Sequence, residues 1–385
     1  KLHLRQDENW SEESYYKRIK YHLRSHYIRN HQKSKFVFFS LVLLIFGTIS
    51  STFFCIFPLT SPPSSPHVLA YYTGDEAALA SLKRSSAHLD MLSIDVFNVQ
   101  DDGSIVAYDD LGAADYAVQH NIQAYACVSN YRGEPLWDFD PALARAAIQT
   151  HKDTFIAQLL DLARDPRYAG VNIDLESIAY SDDIAADRAA FTAFIEEFAG
   201  KLHALDKQLI ISVPAKFTDS PDDDWAYPYD LTALGKAADF LQLMTYDQHG
   251  PWGEPGPISA LDWADECTAY SASLVDPAKL LVGLPAYAYD WDTTDPDAEV
   301  GELKWTDIPA LLARPGVQTG RDASADSPYL TYTENRHEHV VWYEDAASLR
   351  AKANLVSQYK LGGLSVWALG QEDGAFWSAV RDGLE

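Results

Sequence analysis

Residues 168–176 read Tyr-Ala-Gly-Val-Asn-Ile-Asp-Leu-Glu, a short apolar run carrying three polar groups at strict two-residue spacing. Side chains alternate across a strand, so Asn172, Asp174 and Glu176 share one face while Val171, Ile173 and Leu175 share the other. Two carboxylates two residues apart on an extended chain have Cα atoms about 6.6 Å from each other. Their charges resist joint ionisation, so one can stay protonated near neutral pH, as a general acid must. An isolated N-x-D-x-E also fits a solvated edge strand with a polar outer face. Here Tyr168 and Gly170 precede the polar positions and a helix-like segment follows, among strands that read as buried. Carboxylates in such surroundings are costly unless paired or used.

Working outward, short β-rich runs alternate with helical stretches from His67 onward. Eight are predicted: His67 to Tyr72, Met91 to Phe97, Ile122 to Ser129, Ala169 to Glu176, Gln208 to Ala215, Phe240 to Asp247, Leu280 to Tyr287 and Gly363 to Ala368. Phe191, Phe194, Ile195, Phe198, Leu202 and Leu205 repeat at three and four residues, which predicts an amphipathic helix over 186–206. Leu349, Ala353 and Val356 mark another before the last strand. Eight strands in β-α alternation predict an α/β fold of the (β/α)8 barrel type. Residues 292–343, rich in Asp, Thr, Tyr and Trp, read as a small insertion after strand seven that walls one side of a cleft.

Such barrels take their functional groups from the C-terminal ends of strands. The fourth strand ends at Glu176, the sixth in Met244-Thr245-Tyr246-Asp247, the first near Tyr71 and the eighth near Trp367. If these faces point inward, they form a pocket of carboxylates, a phenol and aromatic walls, which suits the apolar faces and polar edges of a sugar ring. Taken singly, Tyr71 also reads as a core or rim aromatic, Trp367 as core packing and Asp247 as a cap. His249 has no His or Cys partner at metal-ligand spacing and reads as a loop residue. No metal or organic cofactor is implied, and no spacing specifies an oligomeric state.

The N-terminal part differs in character. Residues 1–35 hold nine Lys or Arg against four acids, and the remaining chain carries 21 basic and 52 acidic residues, a net charge of −31. So acidic a surface disfavours nucleic acid and anionic lipid as partners. Between the two, Phe36 to Phe57 is a run of 22 residues without a charge. As a helix it spans about 33 Å, enough to cross a bilayer. Its basic N-terminal flank predicts a single-pass signal anchor over 36–58 in the cell membrane, with 1–35 cytoplasmic, 59–66 a Ser/Pro linker and 67–385 extracytoplasmic. A cleavable signal peptide and a buried core helix are the alternatives. Three cysteines, Cys55, Cys127 and Cys267, do not make a disulfide framework.

With these residues in place, the chain resembles glycoside hydrolase family 18, the chitinase-like family. Residues 169–176 are similar to its D-G-x-D-x-D-x-E signature, Leu243 to Asp247 to its M-x-Y-D, Leu281 to Tyr287 to its G-x-P-x-Y and Gly362 to Trp367 to its G-G-x-x-x-W. Pro255-Gly256-Pro257 and Val341 to Asp345 resemble the branch of spore-cortex and peptidoglycan N-acetylglucosaminidases. The resemblance implies Glu176 as general acid and then base, Asp174 orienting the substrate's 2-acetamido group, and Tyr246 bonded to the acetamido oxygen. It further implies Asn172, Tyr71, Met244 and Asp247 as supporting substrate contacts and Trp367 as the floor under the sugar. The substrate's own acetamido oxygen then acts as nucleophile. Ala169 and Asn172 depart from the signature, each standing where it has Asp. The implied protein is a hydrolase of N-acetylglucosamine-containing polysaccharide; the competing expectations are a silent lectin on the same barrel and a module of a larger polysaccharide-processing protein.

Overall fold

A computed structural model of the chain describes residues 65–134, 136, 138–295 and 297–385. The basic segment 1–35, the apolar run 36–58 and the linker through residue 64 lie outside the described residues. Among the described residues no helix is long and apolar enough to cross a membrane.

Eight strands make the frame: β1 (His67–Tyr72), β2 (Met91–Val99), β3 (Gln123–Ser129), β4 (Tyr168–Asp174), β5 (Gln208–Pro214), β6 (Phe240–Met244), β7 (Leu280–Pro285) and β8 (Gly363–Trp367). Each pairs in parallel with its neighbours in sequence, and β8 pairs with β1, so the sheet closes on itself. Closure removes the exposed strand edges. Helices stand between the strands, which makes the architecture a (β/α)8 barrel.

Alternation along the strands sorts side chains into two layers. Val171, Ile173 and Leu175 join Leu82, Phe155, Phe194, Leu209 and Leu364 in the apolar layer between strands and helices. Inside the barrel lies a smaller cluster that includes Leu69, Tyr71, Met91, Tyr125, Cys127, Ile210 and Leu281. The helix expected at 186–206 runs Ile184–His203, begun by Asp183, whose carboxylate accepts from the Ala186 N–H. It stops before Asp206, which adopts φ +61. Beyond β8, the buried Glu372 accepts hydrogen bonds from Ser81, Ser85 and the Trp377 indole, tying the last unit to the first helix.

Three expected strand ends retreat by two residues or more. β4 stops at Asp174 rather than Glu176, because the Glu176 N–H leaves the sheet ladder and donates to Asn130 Oδ1. β6 stops at Met244 rather than Asp247, which takes φ +58. β7 stops at Pro285, and Tyr287 opens a new antiparallel strand. The insertion is a five-stranded antiparallel sheet of Tyr287–Asp292, Gly301–Lys304, Gln318–Asp322, Ser327–Glu334 and His337–Trp342, starting ahead of the expected 292. Tyr287, Tyr289 and Trp291 share the face that packs with Tyr246 and Ile258 of the barrel.

Gly170 shows how closely β4 and β5 approach: a Cβ there would lie 1.9 Å from the Gln208 carbonyl oxygen. Gly200, mid-helix and exposed, meets nothing within 4 Å. Urea denaturation should therefore show Gly170→Ala losing about 1–3 kcal/mol and Gly200→Ala gaining about 0.5–1 kcal/mol.

Candidate active site

The C-terminal mouth of the barrel rests on a belt of buried polar side chains, one from each of six strands. Ser93 of β2 donates to Asn172 Oδ1 at 2.7 Å, and Asn172 Nδ2 donates to Ser212 Oγ of β5 at 3.1 Å. Ser212 lies 2.8 Å from the hydroxyl of Tyr71 of β1, which donates to Gln242 Oε1 of β6 at 3.2 Å. Gln242 Nε2 in turn donates to Ser365 Oγ of β8 at 3.0 Å. Asn172 suits its place because an amide offers an acceptor to one serine and a donor to the other, which a carboxylate does not.

Above the belt stand the acids. Asp174 is 4% exposed and its Oδ1 has no hydrogen-bond partner. Burial pushes its carboxyl up to about 6, with a hydrogen bond to Ser212 acting the other way. Glu176 sits just past the strand end, 9% exposed. Its backbone is clamped by Asn130, which accepts from the Glu176 N–H and donates to its carbonyl, both at 2.8 Å. Tyr229 donates to the Leu175 carbonyl at 2.6 Å. Two fully buried side chains thus fix the backbone that carries the acid.

Tyr246 follows β6 with its ring against Gly283, where a Cβ would come within 2.7 Å. Burial, then the charges of Asp174 and Glu176, hold its phenol well above the usual range, so it remains a hydrogen-bond donor. Asp247 Oδ1 accepts from Tyr287 at 2.7 Å and Tyr289 at 3.1 Å, coupling the barrel to the insertion wall. Met244 and Trp367 are half-buried beside that wall, and the Trp367 ring lies 5.3 Å from that of Tyr71.

The structure therefore gathers Asp174, Glu176, Tyr246, Met244, Asp247 and Trp367 at one mouth, and puts Asn172 and Tyr71 underneath as members of the belt. Unforeseen were Asn130 and Tyr229, which hold the acid, and Ser93, Ser212, Gln242 and Ser365, which complete the belt. Strand alternation would have found several: Ser93 and Gln242 are polar positions inside apolar runs, and Asn130 directly follows β3. His249 lies in a loop, its Nδ1 3.3 Å from the Glu254 carbonyl.

Chemically, the mouth offers an acid on a rigid backbone, a second carboxylate with a spare acceptor oxygen, a neutral phenol and aromatic walls. That set can protonate a leaving oxygen while a carboxylate meets an N–H donor and a growing positive charge.

Comparison with known proteins places this arrangement. The model of the "Glycosyl hydrolases family 18" matches residues 67–372. The chain is 35% identical over 320 residues to the uncharacterized glycosylase YvbX of Bacillus subtilis (strain 168), covering 82% of this chain and 91% of that protein. It is 25% identical over 308 residues to the cortical fragment-lytic enzyme of the same organism, covering 78% and 69%. Among solved structures, the chitinase from Chromobacterium violaceum ATCC 12472 superposes with a TM-score of 0.77 at 38% identity, covering 83% of this chain and 99% of that one.

The raised carboxyl of Asp174 has a consequence for stability. Its folded state keeps a proton that the unfolded chain releases near the ordinary value, so the stability it lends is complete at low pH and is lost as pH rises through about 6. Replacing Asp174 with Asn should make the protein more stable than the parent by about 1–3 kcal/mol near neutral pH, with the gap closing toward about pH 4. Urea midpoints across that range measure it.

Proposed function

The chain belongs to glycosyl hydrolase family 18 and is a chitinase-like glycosidase; we propose that it cleaves β-linked N-acetylglucosamine polymers with retention, the substrate's acetamido group serving as nucleophile. The observation that carries this reading is the unpaired Oδ1 of buried Asp174 beside Glu176 and Tyr246. A buried acceptor without a partner calls for a donor, and an acetamido N–H is one.

In the first step Glu176 gives its proton to the glycosidic oxygen. The bond from that oxygen to the anomeric carbon breaks as the acetamido carbonyl oxygen bonds to the same carbon. Asp174, ionised, accepts the acetamido N–H and offsets the positive charge of the resulting oxazolinium ring. Tyr246 donates its phenolic hydrogen to the acetamido oxygen and so holds it in line for attack. In the second step the Glu176 carboxylate takes a proton from water, whose oxygen opens the ring at the anomeric carbon from the face the leaving group occupied. Intramolecular positioning of this kind supplies about 7–11 kcal/mol of the barrier.

The polymer is chitin-like, poly-N-acetylglucosamine or peptidoglycan glycan, held between Trp367 and the insertion wall. Residues 36–58 anchor the enzyme in the cell membrane with the barrel outside. The strongly acidic charge beyond residue 35 favours neutral or partly deacetylated, cationic chains over anionic ones.

Mass spectrometry of products from chitin oligomers, poly-β-1,6-N-acetylglucosamine and peptidoglycan should show cleavage of one of these by the parent. Glu176→Gln should lower turnover on the order of 100-fold or more. Saturable binding by both forms with no cleavage of any polymer would replace this reading with a lectin. Binding of partly deacetylated polymer should weaken as sodium chloride rises; salt-independent binding would remove the charge argument.

A further inference from the structure

Strand β2 carries an inward carboxyl that the steps above do not use. Ile94 and Val96 lie in the apolar layer under the helices, so Ser93 and Asp95 point into the barrel. In register Asp95 stands opposite Cys127 of β3, and Cys127 opposite Asn172 of β4, two residues before Asp174. The Cys127 thiol is buried and feels the charges of both Asp95 and Asp174, so the three groups occupy one neighbourhood. Asn172 also lies there, but both ends of its amide are taken by Ser93 and Ser212 and it has no proton to exchange. Tyr71 of β1 and Tyr246, just past β6, face Asp174 and both stay protonated, and Glu176, the acid, lies two residues beyond it.

Two carboxyls so placed do not both ionise readily in the barrel interior, and one proton stays with the pair. Asp174 is the more enclosed, at 4% exposed, with a spare acceptor oxygen, while Asp95 keeps partial access to solvent and can exchange a proton with it. We propose that Asp95 is a positioning residue of this site, holding that proton so that Asp174 alone is charged while substrate is bound. The proposal rests on the acetamido reading in naming what the charged Asp174 receives. Burial and then the Asp174 charge push the Asp95 carboxyl up to about 7, in keeping with the geometry.

When Asp95 finally ionises, Asp174 loses its neutral neighbour, a second anion stands beside it, and turnover falls. Asp95→Asn, which keeps the neutral form at every pH, should extend the alkaline limb of the kcat profile upward by roughly one unit or more. A merely structural Asp95 would instead lower kcat throughout and leave the limb where it was.

The second measurement needs no substrate. In pH-difference infrared spectra of the full chain, a protonated carboxyl component beside that of the acid Glu176 should persist to near neutral pH in the parent and be lost from Asp95→Asn. In Asp174→Asn it should titrate lower by roughly one unit or more. A component undiminished in Asp95→Asn, or one that does not shift in Asp174→Asn, overturns the proposal. If the parent cleaves none of the polymers, the proposed reaction fails, but the infrared titration still decides where the proton sits.

Discussion

A closed eight-stranded barrel has an interior just wide enough for its own side chains, so any polar group crossing it must be satisfied by another from the facing strands. That constraint produces the belt from Ser93 through Asn172, Ser212, Tyr71 and Gln242 to Ser365. Each member draws its partners from other strands, so the belt locks the relative heights of strands that are far apart in sequence. The platform from which Asp174 rises is fixed by the same bonds.

The fold treats buried charge in two ways. Beneath the last helices, Lys352 donates to Glu344 at 2.7 Å, both side chains essentially without exposure, a paired arrangement that breaks at large cost if one partner is removed. At the mouth the carboxyl of Asp174 is met by the neutral Ser212 instead of a cation, and its Oδ1, like Oε1 of Glu344, is left without a partner. The first arrangement holds structure together. The second keeps a group poised for an incoming donor, at a cost in stability that the large apolar layer absorbs.

The insertion connects to this chemistry through aromatics. Alternation along Tyr287–Asp292 sends Tyr287, Tyr289 and Trp291 toward the mouth and leaves Asp290 and Asp292 for His339 and His337 on the other face. Two of those phenols end on Asp247, so the wall is joined to the residue that follows Tyr246. A rigid wall of this kind limits which chains enter beside Trp367, while the acidic surface acts at longer range.

Local pattern was enough to reveal the eight-strand alternation, the inward face of residues 172–176 and the grouping of Tyr246, Asp247 and Trp367 near the strand ends, because strand period and apolar runs are properties of neighbouring residues. The helix Ile184–His203 was legible for the same reason, its phenylalanines repeating at helical spacing. Glu176 was marked as a candidate acid and placed inside a strand, since nothing local announces that its N–H turns away to Asn130, 46 residues earlier. Tyr71 and Asn172 read as possible substrate contacts, yet long-range partners settle them beneath the mouth. Asp95 went unnoticed because it gains meaning only when Cys127 and Asp174 are brought beside it. Thus the sequence by itself determined the barrel and the types of group at its mouth, which depend on periodicity and composition. Only the tertiary structure decided which of those groups meet, which are buried and which stay unpaired, because those depend on contacts between strands whose register no local pattern encodes.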